Sequence, residues 1–428
     1  MNYLKQLFHR LLSTDIVKVF SLNALSTLVR MLAGMVSVKV VAVIIGPSGI
    51  ALLGQLNNFN TILLGVADGG INNGVTKYVA EYKEDNNEIK KLLSNALRIV
   101  LFCSTIVGLL LIVGCVQLSR LILLSGEYYY VFLIFGFTII LYTLNSLLIS
   151  ILNGYKRFKK YVMVNILGTI FGLIYSVTLV SFFGLPGALI NAVTFQSIVL
   201  VVTLFWCRKE PWLRKEFFQK RFNKPIVKQY LSYSAMAITT LALLPISQML
   251  LRGYVIAEIS PSEAGIWEGM NRISSMYLRV ITTAFAIYYL PRLSEITDNA
   301  QLHKEVFKCY KFIIPMLLMI GIAIFLLRNM ILWVLFTPDF DQMTSLFPWQ
   351  LMGDFFKICS WLLSFIMVAK AKARMFITVE VFFTATYLVI SFTLLQINGI
   401  VGLTQGYLLN YILYMSVMAY LFRDIIRV

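Results

Sequence analysis

Apolar stretches of roughly 18 residues or more recur along the whole chain. A helix of that length crosses a hydrocarbon core about 30 Å thick. The runs are continuous, as at 106–116, whereas the strands of a membrane barrel alternate apolar and polar residues. Hydrophobic residues make up 59% of the 428 residues and charged residues 13%, which excludes a water-soluble fold. The sequence therefore predicts an all-α polytopic membrane protein.

Lys and Arg are distributed unevenly between the loops of the predicted helices. When loops are assigned to alternate sides, most of the 37 Lys and Arg fall on the side of the two termini, and the loops of the other side hold only Arg120 and Arg252. The positive-inside rule then predicts that both termini are cytoplasmic. Topology thus explains the net charge of +17 without a nucleic-acid partner. The twelve predicted spans are 16–45, 50–78, 93–116, 128–152, 162–183, 187–206, 229–255, 264–289, 306–335, 345–369, 375–396 and 400–421.

The longest loop, 207–228, carries eight Lys and Arg and divides the spans six and six. Similar segments, 78–84 and 289–295, end an even-numbered span in each half. Because each half has an even number of spans, both halves enter the membrane from the same side, as parallel repeats do. The sequence predicts an N-lobe at 1–206, a basic cytoplasmic linker at 207–228 and a C-lobe at 229–428, with two parallel six-helix lobes around a central cavity.

Charged side chains inside the predicted spans are the candidate functional residues, because a charge at mid-membrane costs about 2.5 kcal/mol or more. Glu268 and Arg272 are four residues apart and Arg279 follows seven later, so the three form one stripe on span 8. Asp354 and Lys357, three apart on span 10, can neutralise each other. The other charges inside the spans that we take as candidates are Arg30, Lys39, Asp68, Lys77, Arg328 and Glu380.

The surplus of arginine in this set predicts an anionic substrate. Arg suits phosphate because its planar fork makes bidentate contacts and stays charged. The five cysteines have no CxxC spacing, so the sequence predicts neither a metal site nor a disulfide framework.

Four segments carry a specific resemblance to a known family. They are 74–82 (Gly-Val-Thr-Lys-Tyr-Val-Ala-Glu-Tyr), 265–269 (Gly-Ile-Trp-Glu-Gly) followed by Arg272-Ile-Ser, 289–294 (Tyr-Leu-Pro-Arg-Leu-Ser) and 349–354 (Trp-Gln-Leu-Met-Gly-Asp). They closely resemble the Wzx-type flippases, which export undecaprenyl-diphosphate-linked oligosaccharides such as O-antigen units and lipid III. That family is similar to the rest of the multidrug/oligosaccharidyl-lipid/polysaccharide exporter superfamily in its MATE-like pair of six-helix lobes and its alternating access.

The resemblance implies a flippase of the bacterial inner membrane, with no covalent chemistry and no cofactor. Its substrate would be an undecaprenyl-diphosphate-linked glycan, and its partners would be membrane lipids and polysaccharide-assembly proteins. Transport would be coupled to a proton or sodium gradient and to the membrane potential. The expected diphosphate ligands are Arg30, Arg272 and Arg279. The residues expected to balance charge or couple an ion are Asp68, Glu268, Asp354 and Lys357, and the secondary candidates are Lys39, Lys77, Arg328 and Glu380.

Two other classes of function stay open. A cation-coupled multidrug antiporter on the same scaffold would bind cations, and the surplus of Arg argues against it. An integral-membrane glycan polymerase or glycosyltransferase would need a catalytic domain outside the membrane. The outer loops are short, and their acids form no pattern typical of a carboxylate pair or a metal site.

Overall fold

A computed structural model describes residues 15–220, 222–285, 289–296, 298–370 and 372–426. Within these ranges the secondary structure is helical throughout, without strands. The helices are numbered α1 to α15 in chain order. The first half holds α1 (Asp15–Ala67), α2 (Asn72–Tyr82), α3 (Asn86–Val113), α4 (Cys115–Ile122), α5 (Tyr129–Gly154) and α6 (Phe158–Cys207).

The second half begins after two short 3₁₀ turns, Pro211–Leu213 and Lys215–Phe218. A further pair of 3₁₀ turns, Gly126–Tyr128 and Pro338–Ser345, precedes α5 and α12. The remaining helices are α7 (Lys224–Glu258), α8 (Pro261–Ala284), α9 (Leu290–Glu295), α10 (Asn299–Leu326), α11 (Arg328–Leu335), α12 (Phe347–Ala369), α13 (Ala373–Asn398), α14 (Ile400–Leu421) and α15 (Arg423–Ile426).

Two helices, α1 and α6, are long enough for two membrane crossings, and each is broken at a glycine. Gly46 has φ 63° and Gly184 has φ 58°, a region that glycine enters without a Cβ penalty. Pro47 and Pro186 follow the breaks and cannot donate a backbone hydrogen bond to the preceding turn. The boundary between predicted spans 1 and 2 lies at the first break, and that between spans 5 and 6 lies at the second.

By length and composition, eight helices in the described part of the chain can cross a membrane, and the two broken helices are among them. The more polar helices α8 and α14, with 24 and 22 residues, are also long enough. Counting the two broken helices twice, these elements correspond to the twelve predicted spans. The prediction of an all-α polytopic membrane protein is confirmed.

Packing groups the chain into two compact units. The first contains Met1–Ile44 and Phe59–Leu241, and the second contains Ile45–Asn58 and Ala242–Val428. The second unit therefore includes a segment of α1, and α7 is shared between the units. The lobes drawn from the sequence at 1–206 and 229–428 stay a prediction.

The basic linker at 207–228 is folded onto the first unit. Trp212 and Phe217 are buried in the same apolar cluster as residues of α2, α3 and α5. The Ser94 hydroxyl, in α3, donates to the Phe217 carbonyl at 3.1 Å. Glu210 is also buried and forms an ion pair with Lys160 of α6. The linker is thus an integral part of this unit.

The second unit has its own apolar core. Leu278 and Ile281 of α8 pack there with Leu362 and Ile366 of α12. Side chains from α9, α10, α13 and α14 complete the cluster. The polar groups of α8 and α12 described below are therefore held in fixed helices by apolar packing on the same elements.

Candidate functional site

A buried cluster of charges lies at the N-terminal part of α8. Glu268 forms an ion pair with Arg252 of α7 and accepts a hydrogen bond from Arg272 Nε at 3.1 Å. Arg252 is fully buried and also donates to Gln55 Oε1 at 3.2 Å. Two arginines therefore share one glutamate, and the cluster keeps a net positive charge.

The helix segment 45–58 of α1 packs closely against this cluster within the second unit. A Cβ added at Gly54 would lie 2.6 Å from Glu268 Cδ, so a larger residue would force a shift of this glutamate, which two arginines hold. Gln55 Nε2 donates to the Met249 carbonyl at 3.2 Å, and Asn58 donates to Gln248 at the same distance. Hydrogen bonds between α1 and α7 thus hold Gln55 at the position where its Oε1 accepts from Arg252.

Arginine donors in the cluster are left over after these bonds. The Nη2 atom of Arg272 and the Nε atom of Arg252 are buried and have no hydrogen-bond partner in the described part of the chain. The side chain of Arg272 is 17% exposed. A buried guanidinium nitrogen without an acceptor is costly, and a phosphate oxygen is a suitable acceptor for it. Arg279, further along α8, is exposed.

The assignment of Arg252 to an outer loop is wrong. Helix α7 continues to Glu258, so Arg252 lies almost two turns inside it. The guanidinium carbon of Arg252 lies 5.5 Å from the centre of the Trp267 ring. The predicted span 229–255 already contains position 252, so Arg252 belongs among the charges inside the spans and not in a loop. No local spacing relates it to Gln55, which is 197 positions away.

A second buried cluster surrounds Asp354 of α12, which is 1% exposed. Its Oδ2 accepts hydrogen bonds from Ser274, at 2.6 Å, and from Tyr277, both on α8. Its Oδ1 accepts from Tyr407 of α14 at 2.8 Å and from Gln350 at 3.3 Å. Four donors from three helices therefore satisfy both carboxylate oxygens. Sequence spacing points to Gln350 alone, since it lies one turn before Asp354.

Lys357 lies one turn after Asp354 and is also buried. Its ammonium lies over aromatic rings, 5.1 Å from the centre of Trp361 and 5.5 Å from those of Tyr407 and Tyr411. Such cation–π contacts stabilise a charge that has little water around it. Tyr407 thus contacts both members of the predicted pair.

Among the secondary candidates, Glu380 lies close enough to Lys357 for an electrostatic interaction. Glu380 of α13 accepts a hydrogen bond from Tyr414 at 2.8 Å. The Arg328 guanidinium donates to the Phe325 carbonyl at 2.7 Å. Lys77 is exposed, with its ammonium 5.2 Å from the ring of Tyr78, and Lys39 is half-buried.

The first unit holds the primary candidates Arg30 and Asp68 at separate places. Arg30 is exposed and donates to Asn165 Oδ1 at 2.9 Å. Asp68 is buried in the turn between α1 and α2, where Asn72 donates to it at 2.7 Å and Ser146 of α5 at 3.2 Å. Arg272 and Arg279 belong to the second unit, so the joint role of the three arginines stays a prediction.

The family described as polysaccharide biosynthesis protein matches residues 16–297, which is more than half of the chain. The chain belongs to this family. The matched part of this family member includes Asp68 and the Arg252–Glu268–Arg272 cluster. The resemblance derived from the four sequence segments is thereby confirmed.

Relatives of this polysaccharide biosynthesis family member include lipid III flippases of Escherichia coli (strain K12) and Shigella flexneri. Each is 28% identical over 394 residues, which is 92% of this chain and 95% of the relative. The fold of this chain is similar to the inward-facing structure of a multidrug resistance MATE family transporter of the MOP superfamily. The TM-score is 0.77 at 13% identity, over 94% of this chain and 98% of the transporter. At that identity the likeness shows the fold alone.

Proposed function

We propose that the chain is a flippase for lipid-linked oligosaccharides. Its substrate would be an undecaprenyl-diphosphate-linked repeat unit of O-antigen or a related surface polysaccharide. The protein would move it from the cytoplasmic to the outer leaflet of the bacterial inner membrane by alternating access, with both of its own termini in the cytoplasm. Membership of the polysaccharide biosynthesis family and likeness to lipid III flippases support this proposal. The step breaks no covalent bond and needs no cofactor.

The observation that carries the proposal is a hydrogen-bond donor of Arg272, its Nη2 group, that the described residues leave unused. Glu268 neutralises only one of two arginines, and the Nη2 of Arg272 has no partner among the residues that the structure describes. A diphosphate supplies both the missing acceptor and the missing negative charge. A cationic drug would add a second positive charge to a cluster that already has one in excess.

Arg272 and Arg279 are the proposed diphosphate ligands on α8. Arg252 has a different role in this proposal, because its bonds to Glu268 and Gln55 hold the carboxylate in place and so orient Arg272. Arg30 stays the third ligand proposed from the sequence. The undecaprenyl tail would remain in lipid throughout.

The test is translocation by the purified protein in proteoliposomes that contain a fluorescent undecaprenyl-diphosphate oligosaccharide. We expect the label to become accessible from the other leaflet without any change in its mass. Protein-free vesicles and vesicles with the Arg272→Ala protein are the controls. Drug-stimulated ion flux without lipid movement would identify an antiporter, and a longer glycan would identify a polymerase. Either result would overturn the proposal.

A further inference from the structure

The three acids buried inside the predicted spans differ in how their oxygens are used. Both oxygens of Glu268 accept from arginines, and both oxygens of Asp354 accept from two donors each. Asp68 is different. Its Oδ2 accepts from Asn72 and Ser146, while its Oδ1 is buried and has no hydrogen-bond partner among the described residues. A fully ionised carboxylate would leave this oxygen both charged and unsatisfied.

Asn72 also has a buried side-chain oxygen that lacks a hydrogen-bond donor among the described residues. Its amide nitrogen donates to Asp68 Oδ2 at 2.7 Å and to Ser146 Oγ at 2.9 Å, but its Oδ1 is buried and, within the ranges that the structure describes, has no partner. The pair therefore has two unsatisfied oxygens, one on each residue. Both are acceptors when Asp68 is ionised, so they cannot satisfy each other.

One proton on Asp68 Oδ1 would satisfy both oxygens, because the hydroxyl would donate to Asn72 Oδ1. A protonated carboxyl donates through its hydroxyl, and it can pair with a carboxamide through two hydrogen bonds that close a ring. The amide N–H to carboxyl oxygen bond of this ring is present at 2.7 Å. We propose that Asp68 binds a proton on Oδ1 and shares it with Asn72 Oδ1, so that the Asp68–Asn72 pair is the proton-binding site of the first unit.

The surroundings of Asp68 favour the protonated form. In the described part of the chain Asp68 forms no ion pair, and the titratable side chains near it are neutral ones, Cys103 of α3 and Tyr142 of α5. Cys103 Sγ lies 3.6 Å from the position that a Cβ on Gly69 would take. Glu268 and Asp354, by contrast, have hydrogen-bond donors on both of their carboxylate oxygens.

The backbone between the two residues places the pair. Gly69 and Gly70 both have φ 65°, which reverses the chain after α1 and begins α2 at Asn72. Asp68 and Asn72 are four residues apart across this turn, and Ser146 of α5 closes the triangle. The site is thus built by a glycine turn that other residues would strain, and the Asp-Gly-Gly-Ile-Asn segment is needed as a unit.

This inference deepens the proposed function, on which its purpose rests. A proton that enters on one side and leaves on the other would couple lipid export to the proton gradient. The chemistry is a simple transfer, in which a water-borne proton adds to Asp68 Oδ1 and is later lost from the same atom. A metal ion would need several more oxygen ligands than the two unpartnered ones that this pair offers, Asp68 Oδ1 and Asn72 Oδ1, which favours a proton.

The experiment is infrared spectroscopy of the purified full-length protein in lipid vesicles, with the Asp68→Asn variant and a matched control, Glu210→Gln. Glu210 is a buried acid of the same unit that is ion-paired with Lys160, so it contributes no protonated carboxyl. We expect the wild type and the control to show the C=O band of a protonated carboxyl, which shifts in D₂O and disappears as pH rises. The band should be absent from Asp68→Asn.

The variant should fold, because an amide at position 68 can make the same ring of two hydrogen bonds with Asn72. Its thermal unfolding in detergent is therefore expected to match that of the wild type and to lose its dependence on pH in the range where the band disappears. A band that survives in Asp68→Asn would overturn the proposal. So would a wild type without the band whose unfolding temperature rises with added sodium, since that identifies a cation site.

The infrared measurement needs no glycolipid, which separates the two proposals. A protonated Asp68 in a protein that moves no lipid would refute the flippase and leave the proton site. Lipid translocation by a protein whose Asp68 is ionised would refute the proton site and leave the flippase.

Discussion

At the scale of single residues, the arginines of the buried cluster have different roles. Each has one nitrogen without a partner among the described residues, but the Arg272 side chain is 17% exposed, whereas Arg252 is fully buried and bonds both Glu268 and Gln55. One is therefore suited to bind a ligand and the other to hold the site in shape. These roles lead to separate predictions.

The first prediction concerns Arg272→Ala and Arg272→Lys. Loss of a charged hydrogen bond to the diphosphate costs about 1.5–3 kcal/mol, so Arg272→Ala should weaken glycolipid binding roughly tenfold or more. Arg272→Lys should restore part of the affinity, because the charge is kept and the planar fork is lost. Binding is measured on purified protein of equal abundance and thermal stability. Wild-type affinity in Arg272→Ala would remove this residue from the site.

The second prediction concerns Arg252→Ala, which leaves Glu268 with one of its two partners and Gln55 Oε1 without its donor. Breaking a buried ion pair costs about 3–5 kcal/mol, so the variant should unfold at a clearly lower temperature. The matched control is Arg120→Ala, an exposed arginine that the sequence assigned to the same side. Its effect should stay within about 0.5 kcal/mol. Equal stability of the two variants would contradict the structural role of Arg252.

The sequence predicted some of these contacts and not others for a clear reason. The Glu268–Arg272 bond is a local pair at helical spacing, which the sequence shows directly. The partners of Asp354 come from α8 and α14, at separations of 80 and 53 residues, and no local pattern encodes them. Residue types inside apolar spans identified the candidates, but their partners needed the tertiary structure.

At the scale of elements, the packing of α1 against α8 depends on a small residue. Gly54 allows the backbone of α1 to approach Glu268, whose carboxylate cannot move aside because two arginines hold it. The breaks at Gly46 and Gly184 were predictable from Gly and Pro between apolar runs. The tight contact at Gly54 was not, since a glycine inside a helix has the same local signature whatever faces it.

The third prediction is that Gly54→Ala destabilises the protein by about 1–3 kcal/mol, as overpacking typically does. The matched control is Gly321→Ala in α10, where an added Cβ would meet nothing within 4 Å. Alanine there should be neutral or stabilise the helix by up to about 1 kcal/mol. Thermal unfolding of both variants in detergent checks the difference. A Gly54→Ala protein as stable as Gly321→Ala would mean that the charged cluster can rearrange freely.

At the scale of the whole molecule, long apolar runs were enough to predict an all-α polytopic membrane protein. The grouping of segments was harder to predict, because it depends on packing across distant parts of the chain. The second unit takes in Ile45–Asn58, which sequence order alone assigns to the first half. The basic linker was expected to be a topology signal, yet it also supplies Trp212 and Phe217 to the core of the first unit.

The fourth prediction concerns the energy source of the proposed flippase. A diphosphate with roughly two negative charges leaves a negative interior, and 100 mV favours this by about 2.3 kcal/mol per charge, or about 4.6 kcal/mol for two. A proton carried inward on Asp68 would move positive charge in the same electrical sense. We therefore expect an inside-negative potassium diffusion potential to speed outward glycolipid movement even without a pH gradient.

The voltage and proton contributions can be separated in the same vesicles. With equal potassium on both sides, a pH gradient should still bias transport by the wild type, whereas Asp68→Asn should respond to voltage and no longer to the pH gradient. Glu210→Gln, whose carboxylate is ion-paired outside the spans, should retain both responses. Export indifferent to voltage would mean that cations moving with the lipid neutralise the diphosphate, because an uncompensated charge must respond to the field. In that case the electrogenic mechanism would be wrong even if Asp68 binds its proton.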